Sequence, residues 1–436
     1  MNLGLPIWKS KPCSCAFWVH TEFYYSKARP FSQARLACRR PEQSASVRRP
    51  LRAMLLLLGL CLFAFCRSPP AAAEGFDPRL GRVVLTLRVG GTIGNVTWSP
   101  DQQRLLISSS SLFNKGRKLM SFDLARRKVE WETLCEYSCE QRIEYTHDGR
   151  FILMRPLSAI STDGRNSRQV LSVLDPVTGR LLTTILNESS DRNSTPTHAD
   201  FAQAEDGKTL AVIIGFTGIA RIYEVGTWQV VRQVGPMTGE QGQAKAPSQL
   251  VYDSRRDLLT FGMRAQQGLL QSWNVEANAP LARFTTYKTG VKRMVLDGSS
   301  GNIITGGDGA LYPETPLPGQ PLRLIGVQDD PQTLVRAWDP ISGRRIRDYV
   351  GPGNAVESLS FAPNNRYVAA AKSQAPPMGI DAHVLVWEAA TGRLISSSNF
   401  GQQFVDLVSF SRDSRQLAVA ASGVVRVIEL DPRVFP

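Results

Sequence analysis

One phrase recurs along this chain: "VLSVLDPVTGRL" from Val170, "VRAWDPISGRR" from Val335 and "VLVWEAATGRL" from Val384. Each copy is an alternating apolar stretch that gives way to acid–x–x–Ser/Thr–Gly–Arg, a strand running into a tight turn. Gly179, Gly343 and Gly392 supply the positive φ that such turns need. A repeat constrains folding more than any local propensity does. A unit that cannot bury its own apolar face must stack on its neighbours.

Aligned on a strand and a Ser-Pro-Asp-Gly-Arg-like turn, the chain yields seven units. They read "NVTWSPDQQRLLIS" (Asn95), "RIEYTHDGRFILM" (Arg142), "HADFAQAEDGKTLAVI" (His198), "QLVYDSRRDLLTFG" (Gln249), "RMVLDGSSGNIITG" (Arg293), "SLSFAPNNRYVAAA" (Ser358) and "LVSFSRDSRQLAVA" (Leu407). In every unit a second strand follows, then a variable loop and a third strand. The third strands end at Phe122-Asp123, Leu174-Asp175, Tyr223-Glu224, Trp273-Asn274, Trp338-Asp339, Trp387-Glu388 and Ile428-Glu429. Six units add a fourth strand, so the recurring phrase is the corner between strands three and four.

Seven units of roughly 50 residues, four strands each, predict an all-β, seven-bladed β-propeller of antiparallel blades over residues 82–436. The pattern resembles the WD-repeat (YVTN/WD-type) family in an exported bacterial form. Its strand-three ending stands here as Trp338-Asp339 and, loosened, as Trp387-Glu388. The Gly-His pair that this family places ahead of strand one is absent, which puts its buried Trp–Ser–His–Asp network in question here. Trp273, Trp338, Asp339 and Trp387 are expected to be structural blade residues. The seventh unit lacks a fourth strand, while an orphan strand, "RVVLTLRV" at residues 82–89, precedes the first. It is expected to pair with residues 423–430, completing the last blade and removing exposed edges.

Charge separates the N-terminus from the rest. Residues 1–73 hold 11 Lys and Arg against 2 acids, so nine of the thirteen net positive charges sit there. The remainder is ordinary for a domain, which argues against a nucleic-acid partner. Arg48, Arg49 and Arg52 precede an apolar run from Leu55 to Phe65, and Ala71–Ala73 fit a cleavage site before Glu74. This predicts a signal peptide over 47–73 and a periplasmic or secreted protein, with 1–46 untranslated or disordered and 74–81 a linker. The alternative is a retained anchor, although the run is shorter than a spanning helix needs. Of seven cysteines, only Cys135 and Cys139 would survive cleavage. In an oxidising compartment they are expected to form a disulfide, with free thiols and a redox or metal role as alternatives.

Long inserts between strands two and three, or between units, fall at Arg155–Arg168, Asn187–Thr197, Gly235–Pro247, Gly306–Thr333 and Lys372–Asp381. Loops of this length mark contact surfaces or unstructured tips. In a propeller these would share one face, predicting a surface for a protein or glycan partner on a monomeric scaffold. Tyr312, Leu317 and Arg323 are the candidate contacts from the largest insert, with Asp329, Asp330, Arg165 and Met378 beside them. Equally, the apolar residues of that insert pin the loop to the ring. Asp308, Asp329 and Asp330 offer carboxylates for calcium, but without the spacing of a calcium loop. No nucleophile, zinc or phosphate motif surrounds His147, His198 or His383, so no catalytic residue, cofactor or metal is assigned. The competing reading is a propeller enzyme, a hydrolase or a quinoprotein dehydrogenase. The second shares Asp-x-x-Thr-Gly with "LDPVTGRLLTT" at Leu174 and, with Glu in place of the Asp, with "WEAATGRLISS" at Trp387.

Overall fold

A computed structural model describes residues 76–110, 116–135, 142–155, 159–160, 167–189, 200–214, 217–236, 249–262, 268–288, 290–307, 309, 312–313, 324–325, 330–373, 382–401 and 403–436. Among them are seven antiparallel blades of four strands in a ring, with essentially no helix. Blade 2 carries an additional two-residue strand, Ala159–Ile160, and the insert of blade 5 contains a short hairpin, Tyr312–Pro313 with Leu324–Ile325. The innermost strands are Thr92–Trp98, Ile143–Tyr145, Asp200–Gln203, Gln249–Asp253, Val291–Leu296, Ala355–Phe361 and Val405–Phe410, in blades 1 to 7.

Composition follows position within the blade. Second strands lie between two neighbouring blades, so both of their faces are covered and they read as continuous apolar or small-residue runs. Tyr367–Ser373 (YVAAAKS) is buried at every position, as is Ile303–Gly307 (IITGG). Where a second strand packs against the inner strand of the next blade, space can be tight. A Cβ on Gly306 would come within 2.5 Å of Val356 in the next blade. Several third strands end in a tryptophan. Trp273, Trp338 and Trp387 are all buried. Each indole N–H donates: Trp387 to Val350 O (2.8 Å), Trp338 to Thr305 Oγ1 (3.0 Å) and Trp273 to Asn278 Oδ1 (3.1 Å). In blade 5 the Thr305 hydroxyl also lies 2.7 Å from the Tyr287 hydroxyl, so a Trp–Thr–Tyr chain adds to the backbone ladder between the second and third strands.

The recurring corner has a physical basis. Asp339 accepts from Ile341 N (2.9 Å) and the Ser342 hydroxyl (2.7 Å), and Glu388 accepts from the Thr391 hydroxyl (2.6 Å). Gly179, Gly343 and Gly392 have φ of 69°, 70° and 75°. A second constraint adds to this, because Trp131 of blade 1 packs on Gly179 of blade 2 and Phe284 of blade 4 packs on Gly343 of blade 5.

The N-terminal strand Gly81–Arg88 pairs with Val424–Leu430, with Gly81 opposite Leu430 and Arg88 opposite Val424, and supplies blade 7 with its outer strand. Blades 7 and 1 meet through Trp98, whose indole donates to Ser409 O at 3.1 Å, and through a shared apolar cluster that includes Val96, Leu105, Ala420 and Val427. Residues 76–80, expected to be a linker, instead pack on blade 6. Leu80 is wholly buried, and Asp77 accepts from the Ser396 hydroxyl (3.0 Å) and Ser397 N (3.2 Å). The other chain end lies nearby, with Phe435 edge-on to Tyr367 at 5.1 Å.

Candidate functional site

The insert-bearing end of the ring is the end at which innermost strands begin and second strands finish. Around the axis there, charged side chains gather. In blade 2, Arg142 donates to Glu144 (2.6 Å) and across the seam to Asp200 of blade 3 (3.3 Å). It also reaches Leu250 O of blade 4 at 3.5 Å, so three blades converge on one guanidinium. The Arg142 side chain keeps 30% accessibility. Burial opposes its charge, and Glu144 and Asp200 outweigh that and hold the guanidinium protonated. Arg155 pairs with Arg142 across the backbone (N to O, 3.1 Å). Burial, together with Arg142 and Arg293, pushes Arg155 down to about 10 against the attraction of Asp200.

Blades 5, 6 and 7 continue the lip. Lys292 and Glu357 form a bridge at 2.7 Å between blades, each side chain 16% exposed, and the Ser373 hydroxyl donates to Glu357 at 3.1 Å. Asp406 of blade 7 comes next. Burial first and Glu357 second push its carboxyl up to about 7. Just outside, Lys372 and His383 face one another in register at the root of the blade 6 insert, both buried. Lys372 donates to Gly351 O at 2.8 Å, and burial pushes its amine down to about 7, against the pull of Asp330.

The opposite end is built from the strand-one turns, which interlock: His147 N donates to Gln203 Oε1 (3.1 Å) and Asp413 N to Gln102 Oε1 (3.2 Å). A polar cleft of about 430 Å³ lies between turns of blades 2 and 3, lined by His147, Asp148, Arg150, Asp206, Lys208 and Glu224. Asp148 is already engaged by Thr146 and Arg150. Among the described residues no group of three or more His, Cys, Asp or Glu is arranged to hold a metal ion. None of their helices is long and apolar enough to cross a membrane.

Of the contacts expected from the inserts, Tyr312 pairs with Ile325 in the short hairpin. Asp330 caps a 3-10 turn at Pro331–Thr333 by accepting from Gln332 N (3.0 Å). Leu317, Arg323, Asp329, Arg165, Met378 and Asp308 lie outside the described residues, as do Cys139, His198 and the segments 1–46 and 47–73. Cys135 is half-buried and packs against the apolar cluster of blades 1 and 2. His147 occupies a turn and His383 opens a strand. Sequence reading did not single out Lys292, Glu357, Asp406, Arg142, Arg155 or Lys372. A usable signal existed, because a charged residue follows valine at the start of three successive inner strands: Val291-Lys292, Val356-Glu357 and Val405-Asp406.

No protein-family model matches this chain, and no curated protein matches it.

Proposed function

We propose that this propeller is a non-catalytic binding or scaffold module of the bacterial envelope, related to the WD-repeat type. Its insert-bearing end is the face it offers to a protein or glycan. The observation that carries this reading is positional. The inserts that follow the second strands of blades 2, 5 and 6 leave from one end of the ring, the end where the inner strands carry the Arg142–Asp200 and Lys292–Glu357 contacts. Rigid blades then hold several loops at fixed spacing, which lowers the ordering cost of a broad interface. Export on a signal at 47–73 belongs to the same reading, and a disulfide between Cys135 and Cys139 suits that compartment. The alternative, a propeller enzyme of quinoprotein or hydrolase type, would use the same face. Affinity capture from the native envelope fraction tests the proposal. A specific partner should be retained by the whole protein and lost when residues 308–332 are deleted. Bound quinone or visible absorption in the purified native protein would favour the enzyme instead.

A further inference from the structure

The innermost strands of blades 5, 6, 7 and 1 share a defect. Their registers skip one residue after an apolar one: between Val291 and Arg293, Val356 and Ser358, Val405 and Leu407, and Ile93 and Asn95. A bulge of this kind leaves its extra residue out of the ladder and re-aims its side chain. The extra residues are Lys292, Glu357, Asp406 and Gly94 in ring order, so four equivalent positions follow one another around the lip. The first two neutralise each other at 2.7 Å. The next step sets carboxyl against carboxyl, and the step after brings no side chain at all. Asp406 is only part-buried, and among the described residues nothing donates a hydrogen bond to it.

We propose that the position beside Asp406, on the blade 1 side where Gly94 stands, receives an ammonium or guanidinium group from a partner polypeptide, as Lys292 stands beside Glu357. Blade 5 thus shows, on the other side of the carboxylate pair, the kind of partner that blade 1 lacks. Two adjacent carboxylates of which only one has a cation are destabilised in the empty protein, and an incoming cation relieves this. The charged groups on the strands around Asp406 fit this assignment. Glu357 from the inner strand of blade 6 acts on it directly. Lys372, from the second strand of blade 6, is turned to Gly351 O, and His383 opens the third strand of that blade. The inner strand of blade 1 (TIGNVTW) and the second strand of blade 7 (QLAVAA) bring no charge.

That the cation belongs to a polypeptide rests on the docking-face reading above; that a cation binds there does not. The probe is therefore Nα-acetyl-lysine methylamide, titrated into the whole protein at low salt and followed by NMR shifts. Wild type should bind it in the millimolar range, about tenfold more tightly at pH 8 than at pH 6, as a carboxyl titrating near 7 requires. Asp406→Asn should weaken binding at least tenfold at pH 8 while keeping or raising the melting temperature, because it removes the repulsion. Gly94→Lys should abolish probe binding and raise the melting temperature, since residue 94 is not among the positive-φ positions at which a side chain strains the backbone. Equal binding by wild type and Asp406→Asn, undiminished binding by Gly94→Lys, or no pH dependence would overturn the inference. If the probe fails while capture of a partner through 308–332 persists, only this inference falls; the reverse outcome removes only the docking-face reading.

Discussion

Asp77 shows how much one side chain outside the repeats can carry. It accepts from Arg79 N and Nε (3.0 and 3.1 Å), from the Ser396 hydroxyl and from Ser397 N, tying the incoming chain to the outer strand of blade 6. Burial alone would raise its carboxyl, but these donors, led by Arg79, hold it down at about 2. A folded value below the unfolded one stabilises the native state above about pH 4, and that stabilisation is lost as pH falls toward 2. The shift amounts to about 1–2 kcal/mol once discounted for the solvent around Arg79. Urea unfolding of wild type and Asp77→Asn at pH 5 and pH 2.5 checks this. Wild type should be the more stable at pH 5, and the gap should narrow at the lower pH; a constant gap would rule out the carboxylate. Asp406 runs the other way. Its raised value favours the folded state at low pH, and that contribution is lost as pH climbs from about 4 to 7. The tryptophans, the corner glycines and the acids of the recurring corner were legible in sequence because strand period and turn chemistry are local. Asp77, Asp406 and Arg155 were not, since their surroundings are assembled from other blades.

At the scale of the strand, position within the blade decides composition. Buried second strands are small and apolar, whereas outer strands such as Val230–Val234 and Lys128–Leu134 stay largely exposed. The strand Gly81–Arg88 takes an outer position, yet it differs from the other outer strands in joining distant parts of the chain. Without it, the Val424–Leu430 strand would become an edge whose N–H and C=O groups face solvent unpaired. Removing residues 76–89 should therefore lower the melting temperature by at least about 5 °C, because a ladder and the buried Leu80 are lost together. Hydrogen exchange should speed up at the amides of Val424–Leu430 before it does in blades 3 and 4. Unchanged protection there would show that this pairing contributes little. The orphan strand and its partner could be read from sequence because each lacked the other. The inner-strand bulges could not, since one extra residue disturbs apolar alternation no more than an ordinary substitution does.

For the whole molecule, the unequal status of its seven seams is the main consequence of this topology. The chain crosses every seam from the outer strand of one blade to the inner strand of the next, but between blades 7 and 1 that outer strand is the N-terminal one, held in blade 7 by pairing alone and leading on into blade 1 through residues 89–91. Opening the ring at that seam thus requires breaking strand pairing as well as separating the Trp98–Ser409 contact and the apolar cluster around Val96 and Val427. A rearranged chain isolates this effect. If residues 76–89 are moved behind Pro436 on a flexible linker and the chain begins at Gly90, every blade keeps its four strands but no segment bridges blades 7 and 1. Such a variant should still fold into the ring, because its interfaces are unchanged and chain ends near one another tolerate permutation. It should melt below the natural arrangement, and a cut made between blades 3 and 4 in a chain whose ends are fused should bring a comparable loss, because that seam then lacks its bridging segment in the same way. Equal melting temperatures for wild type and the first variant would mean that side-chain packing alone closes the ring, and that the split blade adds nothing to its stability.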